Sequence, residues 1–335
     1  MAPLLDGEYV LPLRWTGDAE LDELTGYLRH LSAWIPVTVV DGSSAERFDA
    51  HARAWGGLVR HIRPQPWPGA NGKVAGVVTG VRAARAERVV IADDDVRYDR
   101  PALERVLDLL RTADVVRPQN VFRPAPWHAR WDTGRTLLNR AFSADYPGTF
   151  GLRRATFLAM GGYRGDVLFE NLEMVRTVRA HGGREHRADD LFVARRPPTA
   201  AHFWSQRPRQ AYDDLAQPWR LLAALAVWPV VAEGLLHRRV RRLVLLAAGI
   251  VAAGETGRRR AGGRAVFPAT AALWSPVWVL ERGLFSWLAL FSRFVRGGVA
   301  YGDVRLRTAA SSRWRLGREA AGRPPLTPID AGVPW

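Results

Sequence analysis

Ile91-Ala92-Asp93-Asp94-Asp95 places three carboxylates directly after the apolar run Val89-Val90-Ile91. A strand that ends in adjacent acids concentrates negative charge, which is tolerable when solvent, protonation or a cation relieves it. A hard divalent ion carrying a diphosphate is an economical relief, because such ions take oxygen ligands. An exposed acidic turn is the plain alternative. Asp41 follows a second apolar run, Val37-Thr38-Val39-Val40. A carboxylate at a strand end can accept from a ligand N–H or hydroxyl, or it can serve a structural turn through Gly42-Ser43-Ser44. Lys73, in Asn71-Gly72-Lys73, precedes a helical stretch whose N-terminus favours anions. Phe169-Glu170-Asn171-Leu172-Glu173 offers two more carboxylates, one helical turn apart and on a similar face. Either could take a proton from a bound hydroxyl, or both could simply favour a helix N-terminus.

These residues need a scaffold, and the patterning supplies one. Tyr9 to Trp15 reads as a short strand, and Leu21, Leu24, Leu28 and Leu31 give Asp18 to Leu31 a helical period. Ile35 to Val40 reads as a strand, Val74 to Ala86 as a helix, Val89 to Ala92 as a strand and Pro101 to Arg111 as a helix opened by proline. Strands and helices alternating at this spacing predict an α/β fold, a mixed, mainly parallel sheet flanked by helices. Ligands of such sheets bind beyond the carboxyl ends of the strands, where Asp41 and Asp93 to Asp95 fall.

The character changes after Tyr212. Leu221 to Val231, Leu243 to Gly254 and Phe267 to Phe294 are apolar and rich in Trp, interrupted by Pro229, Glu233, Glu281 and Arg282. Arg238-Arg239, Arg241-Arg242 and Arg258-Arg259-Arg260 separate them. If every segment crossed a bilayer, successive basic loops would lie on opposite sides, against the positive-inside tendency. A hairpin, a re-entrant pair or interfacial helices fit that pattern better, and a buried helical domain is the alternative. The chain therefore divides in sequence into an α/β part over 1–212, a membrane-associated helical region over 213–307 and a basic Gly/Pro-rich tail over 308–335.

The net charge of +15 over 335 residues, with Arg greatly exceeding Lys, favours polyanions such as an anionic membrane surface or phosphorylated ligands. No nucleic-acid partner is expected, because the basic residues cluster beside apolar helices and no helix-turn-helix or RNA motif is visible. The absence of cysteine excludes disulfides, thiolate metal sites and cysteine nucleophiles. Met1 to Val10 lacks a basic segment followed by an apolar one, so no secretory signal is expected and the α/β part is placed in the cytoplasm.

Five segments, taken in order, resemble the inverting family 2 glycosyltransferases of GT-A fold, which use nucleotide-sugar donors. The resemblance covers about residues 8 to 212, and its layout is similar to the membrane-associated branch that includes ceramide glucosyltransferase and polysaccharide synthases. It implies that Asp41 contacts the donor base or ribose and that Lys73 lies near the diphosphate. Asp93-x-Asp95 matches the DxD motif, which implies Mg²⁺ or Mn²⁺ on Asp93 and Asp95, with Asp94 also able to fit. Gly148 to Arg154, Gly161-Gly162-Tyr163 and Phe169 to Glu173 resemble the acceptor loop, the GGF-like turn and the helix carrying the general base. The family has an Asp where this chain has Asn171, so Glu170 or Glu173 is left as the base. Gln206-Arg207-Pro208-Arg209-Gln210 resembles the QxxRW motif. Gln206 and Arg209 would serve the donor, with Arg209 on the leaving diphosphate. Gln210 replaces the motif's Trp, and Trp204 or Tyr212 could supply a stacking ring, while His202 reads as structural. The implied function is metal-dependent transfer of a sugar to a hydroxyl of a lipid-linked or membrane-presented acceptor. The alternatives are a catalytically degenerate scaffold of the same fold and, suggested by the charge alone, a basic nucleic-acid-binding protein.

Overall fold

A computed structural model describes residues 3–142, 145–302 and 304–330. The first half of the chain runs β1 (Glu8–Leu13), α1 (Leu21–Ser32), β2 (Val37–Asp41), α2 (Ala45–Trp55), β3 (Arg60–Ile62), α3 (Gly72–Ala83), β4 (Arg88–Ala92), β5 (Val96–Arg97), α4 (Arg100–Leu109) and β6 (Val115–Phe122). It continues through α5 (Trp127–Ala141), β7 (Thr149–Arg153), α6 (Arg154–Ala159), α7 (Glu170–Ala180), β8 (Glu185–Arg195) and α8 (Ala200–Tyr212). Then come α9 (Pro218–Leu236), α10 (Val240–Arg259), α11 (Gly263–Val266), α12 (Ser275–Phe294), the hairpin strands β9 (Val299–Tyr301) and β10 (Val304–Leu306), and α13 (Arg313–Ala320).

The expected mixed sheet is present. Its eight strands are ordered β3-β2-β1-β4-β7-β6-β8-β5. β1 pairs in parallel with β2 and β4, and β2 with β3, while β7 runs antiparallel between β4 and β6. In the parallel part the register sets Leu13 opposite Asp41 and Val10 opposite Ile91, so the carboxyl ends of β1, β2 and β4 reach one edge. β1 and β2 are buried along their whole length, as a sheet covered on both faces requires. Tyr9, Leu11, Leu24, Leu28, Val39, Val90 and Leu103 belong to the core beneath α1 and α4. Glu8 is buried on the opposite face of the sheet, toward the end of α3, and is bonded: Arg60 Nη2 lies 2.7 Å from Oε1, Thr38 Oγ1 donates to it at 2.7 Å, and Arg85 N donates to Oε2 at 2.8 Å. A buried carboxylate is stable only when so satisfied.

The compact units of the molecule do not follow the sequential division. One unit is assembled from the described residues within 1–120, 147–193 and 311–335, and the other from those within Val121–Tyr146 and Ala194–Ala310. The segment read as a tail is part of the first unit. It carries α13, capped by Ser312, and its backbone bonds the α/β framework through Ser311 N to Glu173 at 2.6 Å and Leu326 N to Leu158 O at 2.8 Å. Arg323 donates to Gly162 O at 3.0 Å. Its Arg, Gly and Pro content suggests a tail, but Arg315 pairs with Glu319 and Arg323 finds both Glu319 and the Gly162 carbonyl. The second unit holds α5, α8 to α12 and the β9–β10 hairpin. Its α9 is, among the described residues, the one helix long and apolar enough to cross a membrane by length and composition, with Pro229 inside it.

Candidate active site

The acidic triplet lies at the carboxyl end of β4. Asp93 N donates to Gly148 O at 2.8 Å, which ties the turn to the loop before β7. Asp93 Oδ1 lies 2.6 Å from Lys73 Nζ, and Glu170 Oε1 lies 2.9 Å from the same nitrogen. The ammonium also reaches Asn171 Oδ1 at 3.5 Å. The three ionic side chains are about one-fifth exposed, which leaves them reachable from solvent. Burial acts to lower the lysine pKa, but Asp93 and Glu170 outweigh it and hold the group well above the usual lysine range.

The local chain explains this convergence. Asn71 caps α3 by accepting from Lys73 N at 3.1 Å. Its amide donates to Val167 O at 3.0 Å and its backbone N donates to Gly165 O at 2.8 Å. The start of α3 is thereby fastened to the loop that leads into α7, whose first residue is Glu170. A cation in the first turn of a helix opposes the helix dipole, so Lys73 is held there by the two carboxylates. Glu170, also in a first turn, is favoured by the dipole of α7. Gly161 and Gly162 take left-handed φ values of 69° and 66°, and a Cβ at Gly161 would meet Pro324 O at 2.5 Å. The Gly-Gly turn before the loop thus needs both glycines.

Beside the triplet is an open pocket of about 400 Å³, lined by Arg14, Trp15 and Thr16 after β1 and by Gly42, Ser43, Ser44 and Arg47 after β2. Trp15 connects pocket and triplet. Its backbone N donates to Ser43 Oγ at 2.9 Å, and its indole Nε1 donates to Asp94 Oδ2 at 2.5 Å. Asp41 lies under the pocket with no exposed surface. Its Oδ1 accepts from Ser43 N at 2.8 Å, and its Oδ2 meets His51 Nδ1 at 2.6 Å and His61 Nε2 at 3.1 Å. Burial works to raise the Asp41 pKa, but the His61, Ser43 and His51 hydrogen bonds override it and hold the carboxyl well below the usual range.

Of the residues singled out in sequence, Lys73, Asp93 and Glu170 are brought into direct contact, with Asn171 beside them. Asp94 is joined to the pocket through Trp15, and Asp95 follows in the same turn. Glu173 is not part of this contact group. Its carboxylate is buried, Oε2 accepts from Ser311 N at 2.6 Å, and burial raises its pKa against the opposing pull of that bond. The carboxylate sits on the buried stripe of α7 and is covered by the 311–330 segment, which the helical spacing alone could not reveal. Gln206 and Arg209 belong to the second unit, on α8. There Gln206 Nε2 lies 2.6 Å from the exposed His202 Nε2, and Arg209 sits 4.7 Å over the Tyr301 ring. Tyr212 is enclosed and donates to Arg307 O at 2.7 Å, so it offers no free ring, whereas Trp204 is 44% exposed.

Residues 23–167 match the family model described as glycosyl transferase family 2. That stretch includes Asp41, Lys73 and Asp93 to Asp95. No curated protein matches the sequence. Among solved structures, the chain is similar to the mannosyltransferase PcManGT from Pyrobaculum calidifontis, determined with GDP-Man and Mn²⁺. The two are 18% identical, with a TM-score of 0.52 over 87% of each chain. That likeness shows the fold, which is GT-A. A looser one, 15% identical with a TM-score of 0.38, links 58% of this chain to 74% of glucosyl-3-phosphoglycerate synthase from Mycobacterium tuberculosis.

The sequence reading missed Trp15, His51 and His61. Trp15 was assigned to the first strand, and the histidines stand 10 and 20 positions beyond Asp41, in elements whose packing no short motif reports. One further signal stands in the composition. Lys73 is the only lysine in the chain, against 47 arginines. Where arginine serves nearly every cationic position, a single lysine marks a place that needs a compact ammonium rather than a planar fork.

Proposed function

We propose that the transferase moves a sugar from a nucleoside-diphosphate donor to a hydroxyl of a lipid-linked or membrane-presented acceptor, with inversion at the anomeric carbon. The observation that carries this reading is the meeting of Lys73, Asp93 and Glu170 beside a pocket that Trp15 joins to the acidic turn.

In this reading the pocket takes the nucleoside. Asp41 and Ser43 shape its floor, and the Asp41 carboxylate acts through the Ser43 backbone because its own oxygens are engaged. The oxygen-only donor set of the triplet fits Mg²⁺ or Mn²⁺. Asp93 and Asp95, the two ends of the Asp-x-Asp pattern, are the residues to hold the ion. When bound, such an ion would neutralise charge on the departing diphosphate. Glu170 accepts the proton of the acceptor hydroxyl. The acceptor oxygen then bonds to the anomeric carbon as the bond to the diphosphate oxygen breaks on the opposite face. Lys73 orients Glu170 and lends positive charge to the leaving group. Gln206 and Arg209 are assigned to the donor, with Arg209 on the diphosphate. The membrane-associated region over 213–307 presents the acceptor. α9 exposes Trp219, Leu222, Leu235 and Leu236, and Arg238 to Arg242 follow at its end, a combination suited to an anionic bilayer surface with the catalytic part on the cytoplasmic side.

The test is to incubate detergent-solubilised protein with a panel of nucleotide sugars and Mg²⁺ or Mn²⁺ and to measure released nucleoside diphosphate. Release from one donor class, abolished in Asp95→Asn, is expected. No release from any donor, or release unchanged in that variant, refutes the reading. Flotation with anionic vesicles, weakened by salt, is the expected result for the membrane assignment.

A further inference from the structure

The cluster formed by Asp41, His51 and His61 has a chemistry that sugar transfer does not use. Asp41 ends β2, His51 lies on α2 and His61 on β3, so one β-α-β unit brings all three together. Asp41 and His51 have no exposed surface, and the His61 side chain is 7% exposed. Both imidazoles aim at the same carboxylate oxygen, Asp41 Oδ2, and the three ligand-capable atoms lie within 4.8 Å of one another.

We propose that these three side chains form a binding site for a zinc-class transition ion, separate from the Asp93–Asp95 turn. Two imidazole nitrogens and one carboxylate oxygen are a donor set that zinc accepts, at bonds of about 2.0–2.1 Å. Tetrahedral bonds of that length set the ligand atoms about 3.3 Å apart. The observed contacts of 2.6 Å and 3.1 Å and the 4.8 Å limit bracket this spacing. Three protein ligands leave a fourth position for solvent.

The surroundings hold the ligands as a metal site requires. His61 stacks on Phe48 with ring centroids 4.1 Å apart, and His51 stacks on Trp55 at 4.8 Å. Ser43 N fixes the other carboxylate oxygen of Asp41 at 2.8 Å. On its far side, His51 Nε2 lies 3.5 Å from Asp18 Oδ1, which Arg47 also approaches at 3.7 Å. With the ion bound, the ring nitrogens that face Asp41 are the ligands, and each ring carries its one proton on the other nitrogen. For His51 that proton then faces Asp18, the carboxylate–histidine–metal relay that orients zinc ligands. His61 Nδ1 is buried and has no hydrogen-bond partner among the described residues. The ion would clamp β2, α2 and β3 beneath the pocket floor at Gly42 to Ser44. The proposal does not depend on the transfer reading, because metal content is measured without a donor.

Tag-free protein, stripped with chelator and reloaded with Zn²⁺, should retain one equivalent after gel filtration, and the ion should raise its melting temperature. His51→Gln and His61→Gln should retain none and show no shift, while Asp95→Asn should behave as wild type. Co²⁺ in the wild-type protein should give the intense visible band of a four- or five-coordinate site. It should also give two exchangeable, paramagnetically shifted histidine N–H resonances. That measurement needs no variant and decides the matter if the variants fail to fold. Wild-type protein that retains no ion, retention that survives both histidine substitutions, or a Co²⁺ form without histidine N–H signals would each overturn the site.

Discussion

Asp41 and Asp93 are the same residue type in nearly the same place, each at the carboxyl end of a parallel strand that pairs with β1, yet they are put to opposite uses. Asp41 is sealed, and both of its oxygens are taken by neighbours fixed in the same β-α-β unit. Asp93 remains one-fifth exposed, and its partner Lys73 is a single flexible ammonium shared with Glu170. A carboxylate with three rigid donors and no solvent is part of the scaffold. One that shares a mobile cation with a second acid keeps the freedom to exchange partners when a ligand arrives. The strand end supplies the charge, and the number and stiffness of the donors around it decide between support and chemistry.

The largest test of that contrast is at the open cluster. Glu170→Gln and Lys73→Arg should each lower transfer by about 10²–10⁴-fold, the usual contribution of positioned acid–base and charge-stabilising groups. Their unfolding free energies should stay within about 1 kcal/mol of wild type, because partly exposed ion pairs contribute little to stability. A large stability loss in either variant would erase the distinction. Asp41→Asn should do the reverse. Urea unfolding at neutral pH should show a loss of about 1.5–3 kcal/mol, the scale of hydrogen bonds to a charged group.

The Asp41 effect carries a pH signature. The native carboxyl sits below its unfolded value, so its stabilisation is complete above the ordinary carboxylate range. It fades as pH falls toward the depressed native value, and the gap between wild type and Asp41→Asn should close in acid. Trp15→Phe keeps a ring in the pocket but removes the indole donor to Asp94. Donor KM should rise about fivefold to tenfold, the equivalent of roughly one hydrogen bond, with a smaller change in kcat. Glu173 sharpens the comparison from a third side. It is as buried as Asp41 but has one backbone donor where Asp41 has three, and its pKa is raised. Its contribution is present below the ordinary carboxylate range and is lost as pH rises through the native value. Glu173→Gln should therefore gain on wild type between acid and neutral pH, by less than the Asp41 change.

Much of this was legible in the chain. Val89 to Asp95 spells a buried strand with an acidic end, and β1, α1, β2, α3, β4 and α4 lie within a few residues of their sequence-derived bounds, whereas α2, β3 and β5 have no sequence-derived counterpart. Those features depend on neighbours a few positions away. What escaped depends on distant partners. β7 lies antiparallel against β4, with about 60 residues of chain between them, and no local period announces that choice. Glu170 and Glu173 look equivalent on a helical wheel, and only the cover supplied by residues 311–330 separates them. The histidines of the Asp41 cluster carry no motif because β2, α2 and β3 bring them together in space rather than in spacing.

The brace between Ser311 and Glu173 spans 138 positions of chain. On the ribosome, the α/β framework emerges long before the segment that covers α7, with most of the apolar helices still to be made. The earlier unit must wait partly uncovered while the later one is synthesised, and its completion is timed by the appearance of residues 311–330. A chain ended after β8 would lack the backbone donor that meets Glu173 and the segment that covers its side of α7.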